Sequence, residues 1–500
     1  GDNGSVYVTL REDQPWLVNM TYFKTLNGSA PNINNLWGSG QSGFRFNLGR
    51  SSYIKFLNCI FKNSGVGKGG YGDTITDTDK KLPHHIVYDG CDIQYAGNAI
   101  SIDRNNDNWI VRNSKIHDAG NGVYLYSGGS SGSKNNLIEN NFIYDIGTIN
   151  FPNSDSHAIG LQAGLNHTLT NNTMWNIGGT AIELWTGLSN SMKNHTISYN
   201  FIKNSGTSPA AITSGSGIGI SGSNGNTLGM RTGIKIHHNI IMNTAIIDKG
   251  WGGNGIATNN PDPQEIFNNV IVNTRGSGIE FTVTGGRPAQ GQVFNNIIIN
   301  NNSRYISVAG NALLNNLSID NNLYYPNANN SSMFYDIGYG YLSFSQWQNL
   351  TGRDQNGITA NPLFVSSNPQ VREDFKLQNN SPAIDKGKDV GLTSDIIGTS
   401  IPQGAAPDIG AYEYYSGVPL TGSVVTGFAI TQDNSTITSN ETLSNESSLN
   451  DTISTLINET NGTLLAFILA IIIVTAIISG FEIIKRRAES RRQIKKIFDI

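Results

Sequence analysis

The chain has 500 residues and a mass of 54.0 kDa, with 37% hydrophobic and 14% charged residues, 57 glycines and 64 asparagines. A chain this long cannot wrap one compact core, and so little charge leaves too few Glu, Lys and Arg to face a set of long amphipathic helices. The even spread of aliphatics excludes a disordered chain, and a net charge of −4 with no basic stripe in the first 480 residues excludes a nucleic-acid partner.

Residues 1–50 read as an N-terminal cap or an incomplete first coil, centred on residues 16–23. The chain opens at Gly1 with no secretory leader, as expected of a processed or trimmed form. Residues 51–330 carry a repeat. The segments FLNCIF, YDGCDI, VRNSKI, IENNFI, LTNNTM, ISYNFI, IHHNII, IFNNVI, VFNNII and IDNNLY align on Cys59, Cys91, Ser114, Asn141, Asn172, Asn200, Asn239, Asn269, Asn296 and Asn322. Three positions before this column the residue is always apolar or aromatic, from Phe56 to Ile319. Two positions after it the same holds, from Phe61 to Tyr324.

A further short strand follows, with inward pairs two residues apart such as Ile100/Ile102, Ile159/Leu161 and Ile182/Leu184. That spacing sends one face in and one out. Strands this short bury nothing alone, but coils stacked at ~4.8 Å pair each strand in parallel with its counterparts above and below. Identical asparagines then stack amide to amide at the turn. The expected fold is all-β, a parallel β-helix.

Over residues 50–330 the pattern resembles the right-handed parallel β-helix repeat proteins of the pectate-lyase-like superfamily, and handedness is what the resemblance implies. WQNLTGRDQNGITANPLF (347–364), DFKLQNNSPAIDKG (374–387) and PDIGAYEY (407–414) resemble the closing segment of secreted members, so residues 331–415 are expected to cap the last coil and its unpaired edge. Cys59 and Cys91 share one column on successive coils, where either a disulfide or two buried thiols is open. His84–His85 is not expected to bind one ion, because adjacent strand residues point to opposite faces.

Residues 416–463 are rich in Ser, Thr and Asn, with sequons at Asn434, Asn440, Asn445, Asn450, Asn458 and Asn461, and read as a glycosylated stalk. Residues 464–481 form an uncharged stretch spanning ~27 Å as a helix, enough for a bilayer core. The tail 482–500 holds seven basic against three acidic residues, which places it in the cytoplasm and residues 1–463 outside. The expectation is a single-pass cell-surface protein, its oligomeric state open.

The resemblance implies polysaccharide binding in a groove on one parallel sheet. The repeat itself selects a face. The distance from the Asn column to the following strand is 18 residues after Asn141, 18 after Asn200 and 17 after Asn239, so three insertions project from one corner as walls. Beside them the outward positions include Tyr124, Tyr126, Gln162, Glu183 and Trp185, with Asp155 and His157 on the first wall and Lys249 and Trp251 on the third. Aromatic faces there suit sugar rings.

For hydrolysis, Asp155 and Glu183 on neighbouring coils supply an acid and a base or nucleophile. For β-elimination, His157, Tyr124 or Lys249 could take the C5 proton. No cofactor is evident; Ca²⁺ is implied by the resemblance alone, and no dense Asp cluster matches a calcium site. The expected function is polysaccharide binding and cleavage by a lyase or glycoside hydrolase. The alternative is a non-catalytic adhesin, envelope component or glycan-binding head.

Overall fold

Short strands with one apolar side bury it only by stacking coil on coil, and the chain does so. The computed structural model describes residues 6–7, 16–19, 23–24, 44–47, 53–62, 64–68, 84–103, 106–126, 132–148, 156–186, 191–209, 211, 213–222, 231–247, 252–260, 262–282, 289–299, 303–309, 316–326 and 329–415. The chain divides into two units, Gly1–Phe428 and Ala429–Ile500, and every described residue belongs to the first. The stalk with its six sequons, the 464–481 span and the basic tail lie outside the described residues. Among the described residues no helix is long and apolar enough to cross a membrane.

Among the described residues the strands form three long sheets of 13, 11 and 12 strands, named A, B and C here, and a three-stranded sheet D. Each coil contributes a strand to B, then C, then A, paired in parallel and in register with its neighbours. The inward columns close one lumen: Val111, Ile138 and Ile197 from B, Ile116, Ile143 and Ile202 from C, and Ile159, Ile182 and Ile218 from A are fully buried. Each contributes about 1.5–3 kcal/mol of burial. A full coil precedes residue 50, with Val6–Tyr7 in A, Trp16–Asn19 in B and Phe23–Lys24 in C, rather than a fragment of one. At the other end Phe334–Asp336 and Ile358–Thr359 still add strands to A and C, so the helix runs past residue 330.

The asparagine column forms the turn between B and C. Each Nδ2 donates to the Oδ1 of the next coil along Asn141, Asn172, Asn200, Asn239, Asn269, Asn296 and Asn322, at 2.9–3.0 Å. Each Nδ2 also reaches a strand carbonyl, as from Asn200 to Leu169 at 2.9 Å. A buried amide is thereby satisfied on every side. Cys91 occupies the same place one end up: its Sγ lies 3.7 Å from the Phe56 carbonyl and 3.8 Å from that of Asp89, as weak donors to the acceptors an amide would use. Cys59 and Cys91 are both buried free thiols, the second of the two arrangements open from the sequence. Hydrogen bonding with Cys59 and burial push the Cys91 thiol well up, which keeps it protonated and inert.

The ladder ends on Asp354, whose Oδ1 accepts from Asn322 Nδ2 at 3.0 Å. Its other oxygen accepts from the Tyr324 hydroxyl at 2.6 Å and Trp347 Nε1 at 3.2 Å. Burial pushes this carboxyl up to about 6 against those hydrogen bonds. Trp347 sits on the helix Phe344–Thr351, capped by Ser343 and Gln346, and stacks on Phe334 over the end of the lumen.

Only this first part of the expected cap closes the last coil. Residues 360–415 instead fold back along the outer face of sheet C. Phe364, Phe375, Leu377, Ala383, Ile409, Ala411 and Tyr412 bury Phe201, Ile240, Val270, Ile297 and Leu323. Polar ties run the length of this cover: Asn268 Nδ2 donates to the Asp408 carbonyl at 3.0 Å, Lys203 Nζ to Gln370 Oε1 at 3.0 Å, and Arg372 to Asn171. The cap is mainly a lateral cover because the outer face of sheet C is aliphatic there and needs one.

Candidate functional site

On sheet A the inward residues alternate with an outward column, and register sets Tyr124, Gly160, Glu183 and Gly219 side by side on successive coils. The next outward column holds Gln162, Trp185 and Ser221. Tyr124, Gln162, Glu183 and Trp185 are all half-buried. Tyr126 follows Leu125 at the end of the strand Asn121–Tyr126; its side chain lies outside what the structure describes. Asp155, Lys249 and Trp251, and with them the outer parts of the first and third walls, lie outside the described residues.

The two glycines act differently from a low open floor. A Cβ at Gly160 would sit 2.6 Å from Tyr124 Cδ2, so the missing side chain lets the tyrosine ring lie across the neighbouring coil. Gln162 Nε2 then donates to the Tyr124 hydroxyl at 2.7 Å and fixes the ring. A Cβ at Gly219 would sit 2.5 Å from Glu183 Oε2. The carboxylate therefore leans over Gly219, and its Oε1 accepts from the Ser221 hydroxyl. Glu183 is an oriented carboxylate rather than one standing free.

His157 is 2% exposed, with Nδ1 2.9 Å from the Thr180 carbonyl and its ring edge beside Gly160. Its backbone N–H donates to Asn121 Oδ1 at 2.8 Å. A buried imidazole locked to a carbonyl supports the corner on which Tyr124 rests; the expected role as a substrate base does not fit that burial. Among the described residues, the next acid in the Glu183 column is Glu280, three rungs or ~14 Å away, beyond the span of a hydrolytic pair. No three His, Cys, Asp or Glu side chains among the described residues are placed to hold a metal, so no calcium ligands are assigned.

Two other clusters stand apart from this face: His84–His85, whose side chains do not point to opposite faces as expected, and one on sheet C that the sequence did not reveal. His84 and His85 bring their Nδ1 atoms within 2.7 Å. Strand alternation fails there because His85 takes a left-handed conformation at φ 56. On the outer face of sheet C, His117 lies 2.7 Å from Asp118 and 3.0 Å from Asp92, and stacks on Tyr144. Burial pulls this imidazole down, but the two carboxylates outweigh it and hold it at about 9. Register sets Gln94 opposite His117 and Asp92 opposite Lys115, so the imidazole reaches Asp92 diagonally across the rung, which no sequence spacing shows.

Residues 26–197 match the family model described as the right handed beta helix region. The protein is a right-handed parallel β-helix. No curated protein matches its sequence. Among solved structures it is similar to the pectate lyase Pel9A, at 14% identity and a TM-score of 0.38, covering 80% of this chain and 97% of that one. It is also similar to XylC in complex with xylose, at 13% identity and 0.43, covering 75% and 67%. The tailspike of Escherichia coli bacteriophage HK620 in complex with a pentasaccharide matches at 11% and 0.30, covering 65% and 61%.

Proposed function

We propose that this β-helix is a membrane-anchored extracellular protein that binds and cleaves polysaccharide along the outer face of sheet A. The observation that supports it is the half-buried row Tyr124, Gln162, Glu183 and Trp185: aromatic faces and an oriented carboxylate in adjoining columns. Glu183 is the general acid. It gives its proton to the glycosidic oxygen as the C–O bond breaks, while Asp155 takes a proton from the water whose oxygen adds to the anomeric carbon. Trp185 and Tyr124 hold the flanking rings. The 464–481 span anchors the head outside the cell, and the sequon-rich stalk holds it off the lipid.

One observation favours a second reading. The burial of His157, together with the three rungs that separate Glu183 from the next described acid of its column, fits a non-catalytic glycan-binding surface protein. The full-length chain in detergent, incubated with polyuronates and neutral glycans, separates the two when unsaturated product and reducing ends are read independently. Catalysis predicts that Glu183→Gln lowers turnover by about 10²–10⁴-fold with binding kept. Binding without product from any substrate selects the second reading; turnover unchanged in Glu183→Gln removes this site from the chemistry.

A further inference from the structure

Sheet A passes to sheet B at a corner built like the asparagine turn between B and C, but from mixed residues. Here too a buried side chain accepts from the backbone of the coil before it. Trp109 N–H donates to Asn136 Oδ1 at 2.8 Å, Asn136 N–H to His167 Nδ1 at 3.2 Å, and His167 N–H to His195 Nδ1 at 3.0 Å. His167 and His195 are 0% and 1% exposed, and their rings stack with centroids 5.0 Å apart and planes 2° from parallel. An amide on one coil and imidazoles on the next two thus fill one structural role.

The two residue types differ in their response to acid. An amide oxygen accepts whatever the pH, whereas an imidazole accepts at Nδ1 only while it is neutral, with its proton on Nε2. A proton on Nδ1 sets donor against donor and leaves a backbone N–H buried without an acceptor. Among the described residues no carboxylate pairs with either ring, whereas His117 has two. The charged side chains on the packed segments are Lys134 and Lys193, half-buried two residues ahead of Asn136 and His195, with Asp107, Arg231 and Asp262 on the flanking coils. Asp107 accepts from the Lys134 N–H at 2.7 Å and Asp262 from the Arg231 N–H at 2.8 Å. Farther along sheet B, Glu139 pairs with Arg112 and Lys235 with Glu265. Burial holds His167 down to about 3 and His195 well below its ordinary value.

The three coils joined in this way are those that carry Tyr124, then Gln162, then Glu183 and Trp185. Ala163 N–H donates to the Trp185 carbonyl at 3.3 Å, Gly164 N–H to that of Ser191 at 2.9 Å, and Asn166 N–H to that of Lys193 at 2.9 Å. We infer that His167 and His195 form an acid-sensitive joint, which locks these coils together while both imidazoles are neutral and opens the corner when either takes a proton. Acid therefore loosens the coils that present Glu183 and Trp185 before it disturbs the asparagine turn on their other side. The joint holds whether or not sheet A takes a glycan.

Once open, the corner takes a proton near pH ~6.5; closed, His167 takes one only near 3. The closed corner is therefore fully favoured above pH ~6.5 and loses ground as the pH falls toward about 3. The test is amide hydrogen exchange of the full-length protein in detergent, corrected for intrinsic rates. Between about pH 7 and 5, protection of the Asn136 and His167 amides is expected to fall about tenfold or more. The Asn141 and Asn172 amides, which donate to asparagine oxygens on the same coils, should keep theirs. The double variant His167→Asn and His195→Asn, which extends the amide of Asn136 along the corner, should hold its protection down to pH ~5. The other buried imidazoles are common to variant and wild type, so the comparison isolates this pair. Unchanged protection of Asn136 and His167 in the wild type overturns the joint, and does so even where the variant fails to fold. An equal loss at Asn141 and Asn172 also overturns it, as general unfolding in acid, and so does a double variant that loses protection as the wild type does.

Discussion

Over the same five coils, the outward column of sheet C reads Phe201, Ile240, Val270, Ile297 and Leu323, and that of sheet A reads Gly219, Ala257, Glu280, Ser307 and Tyr335. The first column lies under residues 364–412. The second holds half-exposed Ala257 and Glu280, a buried Ser307, and Tyr335 packed on Tyr341. Both sheets have the same backbone, pairing and lumen side, so the difference is made by the outward side chains alone. An aliphatic face drives the C-terminal segment onto it. A face of glycine, glutamate and tyrosine offers no such apolar area to drive a cover onto it. Within sheet C the same switch occurs along its length: upstream, Lys115, Phe142 and Thr173 take the positions that Phe201 and Ile240 fill later.

The contrast can be broken most strongly at the cover. Phe375 is 1% exposed among the sheet C aliphatics, and Phe375→Ala is expected to cost about 3–5 kcal/mol of stability, read as a lowered denaturation midpoint. Glycan binding on sheet A should survive wherever the variant is folded; its loss would mean the two faces are coupled.

A smaller effect sharpens the contrast within sheet C. His117 has its proton held up to about 9, above the value near 6.5 of the unfolded chain. Its contribution is therefore fully present below pH ~6.5 and is lost as the pH rises through about 9. Denaturation at about pH 6, 8 and 10 should show a fall of ~1–3 kcal/mol that His117→Gln abolishes. Asp354, raised to about 6 at the end of the lumen, has the same sign in a lower window: its stabilisation is present below pH ~4 and is lost as the pH rises through about 6. A wild-type stability that does not fall between pH 8 and 10 would remove the His117 network from the account.

The smallest expected effect is on sheet A itself. Trp185→Ala should weaken oligosaccharide binding about tenfold, ~1.4 kcal/mol, with the denaturation midpoint unmoved, because this side chain is only half-buried. A large loss of stability instead would show that Trp185 packs against the protein rather than waiting for a ligand.

Much of the site was legible because strand alternation and coil spacing fix which residues share a column, so Tyr124, Gln162, Glu183 and Trp185 could be placed together before any coordinates. The lean of Glu183 onto Gly219 and Ser221 was not, since it depends on where a neighbouring coil leaves room for a carboxylate. The burial of His157 was missed because a corner residue follows no period. One signal was present and unread. The strands Ile240-Ile-Met, Val270-Ile-Val and Ile297-Ile-Ile are apolar without alternation, the mark of a strand buried on both faces, and they announce the cover on sheet C.

The sequence by itself determined the coil, its three strands, the inward columns and the asparagine ladder, because these follow from a repeat in which each coil meets a near copy of itself. Only the tertiary structure decided where residues 360–415 lie, which carboxylates are held and by what, and that Asp354 and Trp347 finish the ladder and the lumen. Those contacts join residues far apart in the chain that follow no common period, and their geometry is set by the shape left when the stack ends.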